Sequence, residues 1–138
     1  MKAWVKYSSL LLLLLFSIFV NVVGLTIHNY TGVSMCPARS PRGLSLQLNS
    51  DSYSLGDVVV FDVNGKLIGH RIVGKGIDFN LIEGDYCKFA RKSGLGCKQH
   101  QLADNQILSR EIFHIDFATC PDLNVSKQEL TALIEKFK

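Results

Sequence analysis

The sequence predicts a mainly β domain, preceded by one apolar helix and closed by a second, amphipathic one. Three observations predict it. Residues Leu10 to Ile27 carry no charge. The middle of the chain consists of short β-branched runs separated by turn residues. Near the end, Leu130, Leu133, Ile134 and Phe137 fall at i, i+3, i+4 and i+7, the spacing of one helix face. A chain of 138 residues supports one domain with a single core once a leader is set aside.

The only polar members of the first run are Ser17, Asn21 and Thr26. As a helix its 18 positions would extend about 27 Å, close to the ~30 Å of hydrocarbon in a bilayer. Lys2 and Lys6 precede it with no acid among them, so the positive-inside rule leaves the start in the cytoplasm and sends the remainder outside. Residues 1–27 are therefore expected to form a single-pass transmembrane anchor, or else a secretory leader cut after Gly24. Residues 28–138 form the domain outside the cytoplasm. Those two lysines account for two of the 15 basic residues, leaving 13 against 12 acidic ones. Such a balance gives no footprint for nucleic acid.

Thr31-Gly32-Val33-Ser34-Met35-Cys36-Pro37 follows the apolar run. Glycine, serine and proline are turn residues, but a serine held there is also placed as a nucleophile at the outer face of a bilayer. From Pro37 to Tyr53 the chain reads as a loop with one short strand, where Leu44, Leu46 and Leu48 alternate. Leu55-Gly56-Asp57 turns into Val58–Phe61, a strand with β-branched residues on both faces and so covered on both. Asn64-Gly65 is a hairpin signal and Leu67–Val73 the return strand. Phe79–Ile82 is a third strand ending at Glu83-Gly84-Asp85, and Ile112–Phe117 is a late one with His114 and Asp116 interleaved. Ser126 to Glu129 forms a capping box for the last helix, whose apolar stripe closes over the sheet or lies on a membrane or partner.

Cys36, Cys87, Cys97 and Cys120 are an even set without a Cys-x-x-Cys pair, which fits an oxidising compartment and argues against zinc. A Cys87–Cys97 disulfide would close the basic loop Lys88 to Gly96, although four cysteines allow three pairings. Cys36, two residues from Ser34, is read as bridged rather than as a catalytic thiol.

Four segments together carry a resemblance. Ser34-Met35-Cys36-Pro37, Leu55-Gly56-Asp57-Val58-Val59-Val60, Gly69-His70-Arg71-Ile72-Val73 and Ala103-Asp104-Asn105 resemble, in order, the sequence boxes of the type I signal peptidases, over roughly residues 8 to 110. The bacterial and organellar members use a serine and lysine dyad. This chain has His70 at the lysine position and so resembles the archaeal and endoplasmic-reticulum branch. On an alternating strand Lys66 shares a face with His70 but sits about 13 Å away, and Lys75 points to the other face, so neither substitutes for it.

The resemblance implies a β-barrel or sheet catalytic domain and a membrane-bound serine endopeptidase that removes signal peptides from exported precursor proteins. No cofactor or metal is implied. A serine hydroxyl needs a base within reach, a histidine can accept and return its proton, and an acid behind the histidine fixes its tautomer. Ser34, His70 and Asp104 take those roles. Exported precursors and the lipid bilayer are the expected partners, with accessory subunits admitted.

Two departures stand out. Ala103 replaces the glycine of the last box and Ile107-Leu108-Ser109-Arg110 contains no second acid, so either Asp104 serves alone or another carboxylate such as Asp116 takes its place. Gly32 stands where many relatives have a serine whose hydroxyl helps bind the oxyanion; losing one such donor costs on the order of 10²-fold in turnover. His100 and His114 are read as structural. Asn29-Tyr30-Thr31 and Asn124-Val125-Ser126 are glycosylation sequons.

Two alternatives accompany this reading. Ser40-Pro41-Arg42-Gly43-Leu44 faintly resembles a box of the pilin-maturing conjugative-transfer peptidases, which would make Ser40 the nucleophile and a lysine its base. The other is a non-catalytic, disulfide-stapled secreted protein that binds a partner through its last helix or the Cys87–Cys97 loop.

Overall fold

The computed structural model describes residues 2–136, with side chains from residue 7 onward. The chain forms helix α1 (Lys2–Val23) and strands β1 (Leu25–Thr31), β2 (Arg42–Leu48), β3 (Val58–Val63), β4 (Lys66–Lys75) and β5 (Asn80–Glu83). Helix α2 (Cys87–Lys92), strands β6 (His100–Leu102) and β7 (Ile107–Asp116), and helix α3 (Lys127–Lys136) complete it. The strands make one antiparallel sheet in the order β1-β2-β7-β3-β4-β5-β6, so the expected mainly β class holds.

The apolar run does not continue as one helix to Ile27. Gly24, at φ +67°, takes the left-handed turn that ends α1, and Leu25, Thr26 and Ile27 pair with Leu48, Gln47 and Leu46 in β1. Leu10–Ile27 is thus divided between a helix and an edge strand, which corrects the expected 18-residue span. Among the described residues no helix is long and apolar enough to cross a membrane.

The β3–β4 hairpin forms where Asn64-Gly65 predicts it, with both residues at positive φ (55° and 79°) as a two-residue primed turn requires. Val58, Val59, Val60 and Phe61 are all buried, confirming a strand covered on both faces. Val59 and Phe61 pack with Tyr53, Ile72, Ile82 and Ile107 in one core. Each such side chain contributes about 1.5–3 kcal/mol on burial.

A second cluster gathers Val33, Cys36, Ala90, Leu123 and Leu130. It joins the Ser34 turn to α2 and α3, and Ile134 packs against it. The amphipathic stripe of α3 therefore closes on this cluster through Leu130 and Ile134; Phe137 lies outside the described residues. The capping box forms as read: the Glu129 N–H donates to Ser126 Oγ (3.4 Å) and the Ser126 N–H to Glu129 Oε2 (3.0 Å).

Three elements were not legible in the sequence. Strand β1 was hidden in the apolar run, β6 is only three residues long, and part of the segment read as a basic loop folds as α2. The cysteines pair as Cys36–Cys120 and Cys87–Cys97. The second pair is the closure considered for that loop.

Candidate functional site

Ser34 lies in a turn after β1 that is held from three directions. The Tyr86 N–H donates to the Ser34 carbonyl (3.1 Å), the Gly32 N–H donates to Pro41 O (2.9 Å), and Cys36 is bridged to Cys120. Gly84 lies close against this turn, since a Cβ added there would stand 2.4 Å from Ser34 O. In the β4–β5 ladder Arg71, the residue after His70, pairs with Glu83, the residue before Gly84.

Ser34 and His70 line one cavity of about 460 Å³. Its walls include His28 and Tyr30 from β1 and His100 from β6, so both edge strands border the same space. Ser45 and Gln47 from β2 also face it, with Gln47 tied to Ser45 (3.3 Å) and to Ser109 (2.7 Å). Arg39 and Glu111 complete one side as an ion pair at 2.6 Å.

His70 is only 8 % exposed, and its Nδ1 is sealed from solvent with no hydrogen-bond partner among the described residues. Burial, with the nearby His100 adding to it, pushes its pKa down to about 4; Asp85 and Glu83 pull weakly the other way. At neutral pH the ring is therefore uncharged and able to accept a proton. Asp85 is engaged by both nitrogens of an Arg71 fork (2.8 Å each), and Glu83 is held by Arg91 and Gln99.

Of the three residues singled out, Ser34 and His70 border the cavity and Asp104 does not. Asp104 is exposed, lies outside the cavity lining, and accepts a hydrogen bond from the buried Asn80 amide (2.7 Å). Asp116, the alternative acid, accepts from the Tyr30 hydroxyl and from the Ser40 N–H (3.0 Å) and also lies outside the lining. Ser40 is 4 % exposed and its hydroxyl donates to Arg42 O. Lys75 donates to Tyr53 O, and neither it nor Lys66 borders the cavity.

The sequence reading takes His100 as structural. Its ring lies 5.8 Å from that of His70, centroid to centroid, and both contact Phe61 at 4.9 and 6.1 Å respectively. No local signal marks it, because β6 is too short for alternation to be read. Its pKa is lowered by partial burial and by Lys98. His114 sits between Glu111 (3.6 Å) and Asp116 (3.7 Å), which fits its structural reading. Among the described residues no group of three or more His, Cys, Asp or Glu side chains is placed to hold a metal ion.

Comparison of the chain with family models, with curated proteins and with solved structures finds no significant match.

Proposed function

We propose that this chain is a membrane-tethered serine endopeptidase that removes signal peptides from exported precursors, with Ser34 as nucleophile and His70 as general base. The observation that carries this reading is the shared cavity: the half-buried Ser34 turn and the buried, uncharged imidazole of His70 both border one space. In the reaction Ser34 Oγ attacks the scissile carbonyl and His70 takes its proton, then returns it to the leaving amine. The Ser34 backbone N–H is the oxyanion donor in place of the hydroxyl missing at Gly32. An extended precursor segment would enter between the two edge strands.

Membrane attachment has its own support. Apart from the half-buried Val20, the side chains of α1 from Leu10 to Val22 are exposed all round, a pattern that suits lipid rather than water. The apolar surface continues past Gly24: Ile27 pairs with Leu46 and Leu46 with Phe113, and Ile27, Phe113 and Ile115 are 69 %, 59 % and 47 % exposed. Such a patch beside an apolar helix fits a domain resting on the bilayer, outside the cytoplasm, where disulfides persist.

The buried hydroxyl of Ser40, spent on Arg42 O, argues against the pilin-maturing alternative. The unpartnered Nδ1 of His70 favours the other reading, a non-catalytic secreted protein stapled by its two disulfides. Cleavage of a reporter precursor by the purified chain separates these readings. Ser34→Ala and His70→Ala should each lower turnover by on the order of 10³-fold or more, while Ser40→Ala cleaves. Cleavage that survives both of the first two changes, or no cleavage by the unaltered chain, rejects the peptidase.

A further inference from the structure

We propose that His100 is the positioning partner of His70, taking the place that the sequence reading gave to a carboxylate. The proposal rests on the peptidase reading above and deepens it. When Ser34 Oγ bonds to the scissile carbon, the carbonyl π pair moves to its oxygen and the Oγ proton moves to His70 Nε2. The ring is then an imidazolium whose Nδ1–H needs an acceptor. As the intermediate collapses, the C–N bond breaks and the Nε2 proton leaves with the amine. A water molecule then repeats the sequence on the acyl-enzyme and restores Ser34. His100 neither gains nor loses a proton throughout; it orients one ring and accepts one hydrogen bond.

Three observations support this. First, Nδ1 is the sealed nitrogen of His70 and it lacks a partner, so a buried imidazolium would stand uncompensated unless a neighbour turned to meet it. Second, the carboxylates that reach His70 electrostatically are committed elsewhere, Asp85 to both arms of Arg71 and Glu83 to Arg91 and Gln99, while Asp104 is held by Asn80. Third, His100 borders the same cavity with its ring centroid 5.8 Å from that of His70, a separation at which rotation of the two rings can bring a nitrogen of each to about 3.5 Å, within the looser range of unliganded sites. Phe61, fully buried and in contact with both rings, supplies the apolar backing that makes a hydrogen bond between them strong. The charged groups that bear on the pair are Asp85 and Glu83 towards His70 and Lys98 towards His100. Partial burial and Lys98 both disfavour a proton on His100, which favours a free acceptor nitrogen.

The test uses the full chain in mild detergent with a reporter precursor, alongside Ser34→Ala and His70→Ala. His100→Phe keeps a ring beside Phe61 but removes the acceptor; kcat should fall by about 10²-fold with KM nearly unchanged. His100→Gln restores an acceptor and should recover a large part of that loss, which a purely structural role would not predict. If His100→Phe keeps its kcat while Ser34→Ala and His70→Ala are inactive, this proposal fails and the peptidase reading stands. A larger loss in Asp104→Asn than in His100→Phe overturns it as well. Should the phenylalanine variant misfold, the imidazole titration of His70, followed by NMR in the unaltered and His100→Gln proteins, decides the point. A midpoint that moves supports a coupled pair, and one that stays overturns it.

Discussion

Acid should weaken this fold through His70 in particular. Its pKa is about 4 in the folded chain against an ordinary 6.5. Between those values the unfolded chain binds a proton that the folded chain refuses, so stability falls as pH drops. The contribution is intact above pH 6.5 and fully lost below about 4. At 1.36 kcal/mol per pKa unit the loss amounts to about 3 kcal/mol. Glu83 and Asp116, both held below the usual carboxylate range, add acid sensitivity of their own; His70 is only the last and smallest cause of the Glu83 shift, so nearly all of that addition is common to a variant that leaves both in place. The clean measurement is therefore a difference. Urea unfolding of the full chain in mild detergent, followed by circular dichroism at pH 7.5 and pH 3.5, is compared with His70→Gln. The unaltered protein should lose about 3 kcal/mol more than the variant. Equal losses in the two proteins would show that His70 is not held neutral by burial, and the argument for an uncharged base at neutral pH would go with it.

Two further expectations follow from the packing around the site. Gly84→Ala sets a methyl group 2.4 Å from Ser34 O, so the turn must shift. A displacement of about 1 Å costs on the order of 10²-fold in turnover, and unchanged cleavage by a folded variant would show that the close approach does not position Ser34. Removing the Cys36–Cys120 bridge, at a sequence separation of 84, should destabilise the fold by about 4 to 5 kcal/mol. Removing Cys87–Cys97, at a separation of 10, should cost about 3 kcal/mol. Denaturant midpoints of the paired serine variants compare the two, and a reversed order would refute the loop-closure account.

Much of the local structure was legible because its causes are local. Asn64-Gly65 specifies a primed turn through φ alone, Ser126 and Glu129 reach each other within one helical turn, and four consecutive apolar residues at Val58–Phe61 require cover on both faces. The end of α1 was misplaced because Leu25 to Ile27 are as apolar as the helix before them. Only their pairing with β2 makes them strand. Strand β6 and helix α2 are too short for periodicity to register.

By itself the sequence determined the β class, the hairpin, the capped last helix, the even cysteine set and the candidacy of Ser34 and His70. Only the tertiary structure decided the strand order, the choice among three disulfide pairings, and which polar groups meet His70. It carried Asp104 to Asn80 and brought His100 beside Phe61. The physical reason is range. Turns, caps and alternation act over a few residues, whereas the neighbours of a buried imidazole are set by the register of strands far apart in the chain, where a shift of one residue would turn its side chain to the opposite face.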